Sequence, residues 1–208
     1  MGSEVQDHIL KMTYAFVERD LVTAQQMIDA DRSINQRRIN IGLDALRLIA
    51  TQSPMAGDMR MIAVILEAVG ELERIHDYVK GIGKISLAIG PEPIPQPLAQ
   101  RLPEMGETVG EMLFQALKAF ANRDEALARR VPAMDDRVDD LFNELYEAII
   151  NIVLADPTQI HRASRLEWAL HNLERAADRT INICEWVVYM ITGVYAEMDM
   201  GEYEAPPE

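Results

Sequence analysis

Leu72-Glu73-Arg74-Ile75-His76-Asp77 returns 101 residues further on as Leu173-Glu174-Arg175-Ala176-Ala177-Asp178. Each copy sets two carboxylates four residues apart, and on a helix such positions lie one turn apart on a single face. Glu73 and Asp77 therefore point the same way, as do Glu174 and Asp178. Asp31 with Asn35, and Asp135 with Asp139, repeat the spacing elsewhere in the chain. If neighbouring helices bring these pairs together, each set offers four oxygen-bearing side chains, and such an acidic knot attracts a cation. Oxygen ligands favour iron, manganese or magnesium over copper, with zinc entering where a histidine joins. The plainer reading of an i,i+4 acid pair is a solvated face. With Leu72 as the zero of angle, the stripe of Ile65, Val69, Leu72 and Val79 centres near zero, while Glu73 and Asp77 fall roughly 100° and 140° away. The acids flank the core, which suits an open surface site and a hydrophilic face alike.

Other reactive residue types sort by the same geometry. His171 stands three residues before Glu174 on the acidic face and is a candidate supporting ligand. His76 falls on the stripe side, as a packed or hydrogen-bonded histidine rather than a ligand. Arg74 and Arg175 follow their glutamates directly, so they occupy a different face as solvated cations or as contacts to another bundle or a partner. Cys184 lies on the apolar stripe as inert packing, and Trp168, Trp186 and Tyr189 read as core anchors. No nucleophile–base constellation and no glycine-rich phosphate loop is present.

The elements that must carry these residues are helices. Aromatics are scarce, alanine and methionine abundant, and long breaker-free runs cover most of the 208 residues. Helical pattern spans about 5–16, 21–52 and 57–88, then about 103–121, 124–154 and 158–191, with Pro132 expected to kink or restart the fifth helix just before Asp135. Between the two sets lies Gly90-Pro91-Glu92-Pro93-Ile94-Pro95-Gln96-Pro97, which reads as a stiff extended spacer setting the angle between two bundles. The halves align in order. Arg19-Asp20 matches Arg123-Asp124 and Asp31 matches Asp135, both at an offset of 104, and Pro54 matches Pro157. The expected architecture is all-α, a tandem duplication of a three-helix bundle with six long helices: a first repeat at 1–89, a proline-rich linker at 90–97, a second repeat at 98–193, and a loose acidic tail at 194–208.

Charge excludes some functions. A formal net charge of −14 repels nucleic acid and anionic lipid. One cysteine makes no internal disulfide, and neither a spanning segment nor a signal peptide is visible, so a cytoplasmic protein is expected.

The ordered set Asp31-x-x-x-Asn35, Ser53-Pro54-Met55-Ala56-Gly57-Asp58-Met59-Arg60, Glu73-x-x-x-Asp77, Asp135-x-x-x-Asp139 and Glu174-x-x-x-Asp178 resembles the PhoU family, whose proteins show a Pro-x-Ala-x-Asp-Leu-Arg block and Glu-Arg-Ile-Gly-Asp twice. The resemblance spans about residues 5–193. It implies surface metal clusters, of iron or zinc foremost and manganese or magnesium after them, with ligands Asp31, Asn35, Glu73 and Asp77 in the first half and Asp135, Asp139, Glu174 and Asp178 in the second. It implies a frequent homodimer and no enzymatic activity. It also implies a negative regulator joining the ATPase side of the high-affinity phosphate ABC transporter to a sensor histidine kinase, at the membrane only through these protein partners. His76 and Ala177 stand where the family has glycine. Two other readings compete: a ferritin-like carboxylate-bridged di-metal oxidoreductase, for which Glu73-x-x-His76 is the only Glu-x-x-His match, and a helical adaptor that binds no metal.

Overall fold

The structure, a computed structural model, describes residues 1–198. Its helices are α1 (Gly2–Glu18), α2 (Leu21–Gln52), α3 (Gly57–Ile89), α4 (Gln96–Asn122), the four-residue α5 (Glu125–Ala128), α6 (Asp135–Ala155) and α7 (Ile160–Thr192). The duplication is visible in how the chain turns. Arg19 ends α1 in the left-handed region at φ 59°, and Asp20 then accepts the backbone N–H of Val22 and Thr23, capping α2. Arg123 ends α4 in the same way at φ 52°, and Asp124 caps α5 through the N–H of Leu127. Arg-Asp is thus a stop and a start, used twice. Pro54 and Pro157 mark the second turn of each unit, after which α3 and α7 return antiparallel to α2 and α6.

The two units do not form separate bundles. α1 of the first packs on α4 of the second, and α3 on α7, around one continuous core. Val5, Ile9, Met12 and Phe16 recur every three or four residues along α1 and meet Leu98, Leu102, Met105, Val109 and Met112 of α4. Contact is close: a Cβ added to Gly106 would lie 2.4 Å from Thr13 Oγ1.

The linker differs from the expected spacer. α4 begins at Gln96, seven residues before the expected Pro103, with Pro97 in its first turn and Pro103 inside it. An interior proline costs roughly 3 kcal/mol, whereas full burial of a leucine returns about 1.5–3 kcal/mol; Leu98 and Leu102, both buried, outweigh it together. The remainder is clamped. Ile94 is buried, Arg19 donates to the carbonyls of Ser86 (2.8 Å) and Gly90 (3.1 Å), Arg162 to that of Pro93, and Arg165 to that of Ala88 (3.0 Å).

One further expectation is met and two change. The fifth helix is divided into α5, a turn and a 3-10 turn at Pro132–Met134, which restarts it at Asp135 as Pro132 led us to expect. Trp168 is no core anchor: it is 57 % exposed and lies edge-on to His171. The tail is tied where it begins, because Tyr195 Oη and the Met198 N–H donate to the buried Glu185 at 2.9 and 2.7 Å; the rest of the expected acidic tail lies outside the described residues. No helix among the described residues is long and apolar enough to cross a membrane.

Candidate metal centre

Each set of acids lies across a helical hairpin, α2–α3 in the first repeat and α6–α7 in the second, but the two sets are arranged differently. In the first, Lys80 stands between Asp31 and Asp77. Its ammonium lies 2.9 Å from Asp31 Oδ2 and 2.6 Å from Asp77 Oδ1. Asn35 donates to the same Asp31 oxygen at 3.3 Å. Glu73 turns aside toward Arg38, 4.0 Å away. The structure therefore gathers Asp31, Asn35 and Asp77 around a lysine and leaves Glu73 with another partner. Burial pushes the Asp31 carboxyl up, but the Lys80 hydrogen bond and charge, with His76 behind them, outweigh it and hold Asp31 below its ordinary value. Lys80, opposed by its own burial, is raised by Asp77 and Asp31.

His76 is fully buried, as its angle predicted, and its Nε2 is hydrogen-bonded to Nδ1 of His8 on α1 at 3.0 Å. Its Nδ1 faces Asp31 Oδ1 at 3.7 Å. Burial first, then the neighbouring His8, drives its pKa down to about 4 against the pull of Asp31, so the ring is neutral at pH 7. Glu73 and His76 thus face different partners, which removes the one Glu-x-x-His pair a ferritin-like centre could use.

In the second repeat no lysine intervenes. Asp135 opens α6 and is pushed up to about 7 by burial and by the charges of Asp139, Asp178 and Glu174. Glu174 is raised by burial and by Asp178. Asp135 Oδ1 and Glu174 Oε2 are buried without a hydrogen-bond partner. His171 Nδ1 approaches that Glu174 oxygen at 3.2 Å outside hydrogen-bonding geometry, while its Nε2 accepts from Arg175 Nε at 3.4 Å. Among the described residues no group of three or more His, Cys, Asp or Glu is gathered tightly enough to enclose a metal ion; mutual repulsion spreads like-charged carboxylates. Asp178 also borders an open polar groove of about 640 Å³ where α3 meets α7, lined by Glu71, Arg74, Arg179, Asn182 and Trp186.

The PhoU domain model matches residues 1–86 and again 102–187, ranges that contain the seven acids and Asn35. The chain belongs to the PhoU family. It is 33 % identical over 193 residues to a phosphate-specific transport system accessory protein PhoU homolog of Aquifex aeolicus, covering 93 % of this chain and 87 % of the relative. The crystal structure of PhoU from Pseudomonas aeruginosa superposes with a TM-score of 0.86 at 31 % identity over 93 % of both chains. That of the phosphate transport system regulatory protein PhoU from Streptococcus pneumoniae gives 0.85 at 29 %, over 94 % of this chain and 91 % of the other. In this PhoU-family chain, sequence reasoning missed Lys80, Arg38 and His8. Only Lys80 left a signal: it lies three residues after Asp77, where the second repeat has Ile181 after Asp178.

Proposed function

We propose that this chain is a non-catalytic regulator of phosphate uptake, restraining the high-affinity transporter and the starvation response when phosphate is plentiful. Family membership supports this reading, together with the names borne by its relatives, which are accessory and regulatory proteins of phosphate transport. Its partners in this reading are the ATPase subunit of a phosphate ABC transporter, a sensor histidine kinase and a second copy of itself, all in the cytoplasm. Apolar side chains exposed toward the hairpin ends, Leu46 and Met55 on one and Leu154 and Ile160 on the other, suit protein contacts.

The same proposal assigns a metal to the second repeat, held by Asp135, Asp139, Glu174 and Asp178 with His171 in support. The observation that carries it is the buried, unpartnered oxygen of Asp135, set among three other acids that raise its pKa. A carboxylate so placed takes up either a proton or a cation, and with its pKa raised to about 7 a bound cation competes readily at neutral pH. Iron, manganese or magnesium suits the oxygens, and zinc the addition of His171. A bound cation would supply positive charge linking α6 to α7, while the protein's part is to hold both helices in register. The residues of the first repeat do not fit such a group, because a lysine ammonium already bridges Asp31 and Asp77.

The test is a phosphate-starvation reporter in a bacterium lacking its own PhoU-family protein. The wild-type chain should restore repression in high phosphate, whereas Asp135→Asn/Asp178→Asn should leave the reporter derepressed at equal protein abundance. Full repression by the double variant would remove the metal from the function, and no repression by the wild type would remove the regulatory role.

A further inference from the structure

The two repeats descend from one sequence pattern, yet their acidic sets meet different fates at one position. Three residues after the second acid of the hexapeptide motif, the first repeat carries Lys80 and the second Ile181. On a helix that spacing places the side chain beside the acid it follows. Lys80 reaches Asp77 on its own helix and Asp31 on α2 together, at 2.6 and 2.9 Å. An ammonium held by carboxylates from both helices does what a bridging cation would do: it cancels their repulsion and ties α2 to α3.

We infer that Lys80 is the resident cation of the first repeat, and that the chain takes metal on its second repeat alone. The part concerning the second repeat rests on the functional reading above; the assignment of Lys80 does not.

Local charge carries the argument further. Around the first set, Lys80 and Arg38 face Asp31, Asp77 and Glu73, leaving one net negative charge. A divalent ion entering there must displace a hydrogen-bonded ammonium and meet it at close range, where like charges repel. Asp31 Oδ1 is buried without a hydrogen bond, like Asp135 Oδ1, but what it faces is the ring of His76, itself packed on His8. The second set has four acids. Where the first repeat places Lys80 the second has Ile181, which brings no charge among them. One motif thus serves two chemistries: an internal ion pair that no chelator can strip, and a site whose charge depends on metal supply.

The experiment compares chelator-stripped proteins reloaded with Mn²⁺ or with Zn²⁺, desalted, and measured for metal per chain by elemental analysis. Asp31→Asn/Asp77→Asn should retain the wild-type content, and Asp135→Asn/Asp178→Asn should fall to background. Lys80→Ile, which copies the second repeat, should exceed the wild type, and the excess should vanish when Asp31 and Asp77 are also changed to Asn. Lys80→Arg should match the wild type. Lys80→Met, which keeps most of the stem, supplies the same comparison should Lys80→Ile fold poorly. Loss of metal in Asp31→Asn/Asp77→Asn, or no gain on removing the lysine charge, overturns the assignment of Lys80. Wild-type content in Asp135→Asn/Asp178→Asn instead overturns the metal site of the functional reading, with the gain in the lysine variants still deciding the role of Lys80.

Discussion

At the scale of single residues, a buried histidine and a half-buried carboxyl pull stability in opposite directions over one pH range. His76 has its folded pKa depressed from 6.5 to about 4, so its contribution is fully present above pH 6.5 and is lost as pH falls toward 4. His8, also lowered by burial, acts in the same sense. Asp135 is the reverse case. Its folded pKa is raised from 3.8 to about 7, so stability is present below pH 4 and is lost as pH rises through 7 in protein stripped of metal. Urea denaturation of chelator-treated protein between pH 4 and 7 separates the two. Asp135→Asn should leave the histidine slope opposed by the raised Glu174 but dominant, with stability falling on acidification by on the order of 2–3 kcal/mol. His76→Gln should expose the opposite slope, with stability falling as pH rises. Parallel curves for both variants would contradict the pKa assignments. Asp31 stays out of this window, since Lys80 holds its pKa below 3.8.

Much of this was legible in the sequence, and the rest was not for a definable reason. The i,i+4 spacing fixed the faces of Glu73, Asp77, Glu174 and Asp178 and put His76 among packed residues, because helical angle depends on chain position alone. The partners chosen across a hairpin depend on how two helices slide past each other, which no single helix encodes. So Lys80 between Asp31 and Asp77, Arg38 opposite Glu73 and His8 opposite His76 appeared only in three dimensions. Trp168 misled because its size suggested burial, whereas its position on α7 turns it outward.

Among elements, the repeats diverge where the helix carrying the first acid pair begins. α2 runs unbroken past Asp31, whereas Pro132 interrupts the corresponding stretch and makes Asp135 the first residue of α6. Pro132 announced that break, while the early start of α4 was hidden because two prolines argued locally against a helix that Leu98 and Leu102 favour through burial. The tightest seam joins α1 to α4. Gly106→Ala would push its methyl against Thr13, which is buried and back-bonded to the Ile9 carbonyl at 2.9 Å and so cannot swing away. Overpacking of this kind should cost about 1–3 kcal/mol, measured as a lower urea midpoint with an unchanged denaturant slope. An undiminished midpoint would show that α1 and α4 separate more readily than the packing indicates.

Taken whole, the molecule is one core built from two copies of a motif, with α3 and α7 crossing between them. The duplication could be read from Arg19-Asp20 and Arg123-Asp124, but a shared core could not, because an apolar stripe does not state whether it faces its own repeat or the other. That shared core turns the proline segment from a hinge into a clasp, held by Arg19, Arg162 and Arg165. On that one body the first hairpin sets Lys80 between Asp31 and Asp77, where the second has Ile181 at the matching position. Anomalous scattering from crystals of the metal-loaded wild-type chain tests this account most directly. The expected map has density beside Asp135, Asp139, Glu174 and Asp178 and nothing between Asp31 and Asp77; a peak at Lys80, or none anywhere on the molecule, would contradict it.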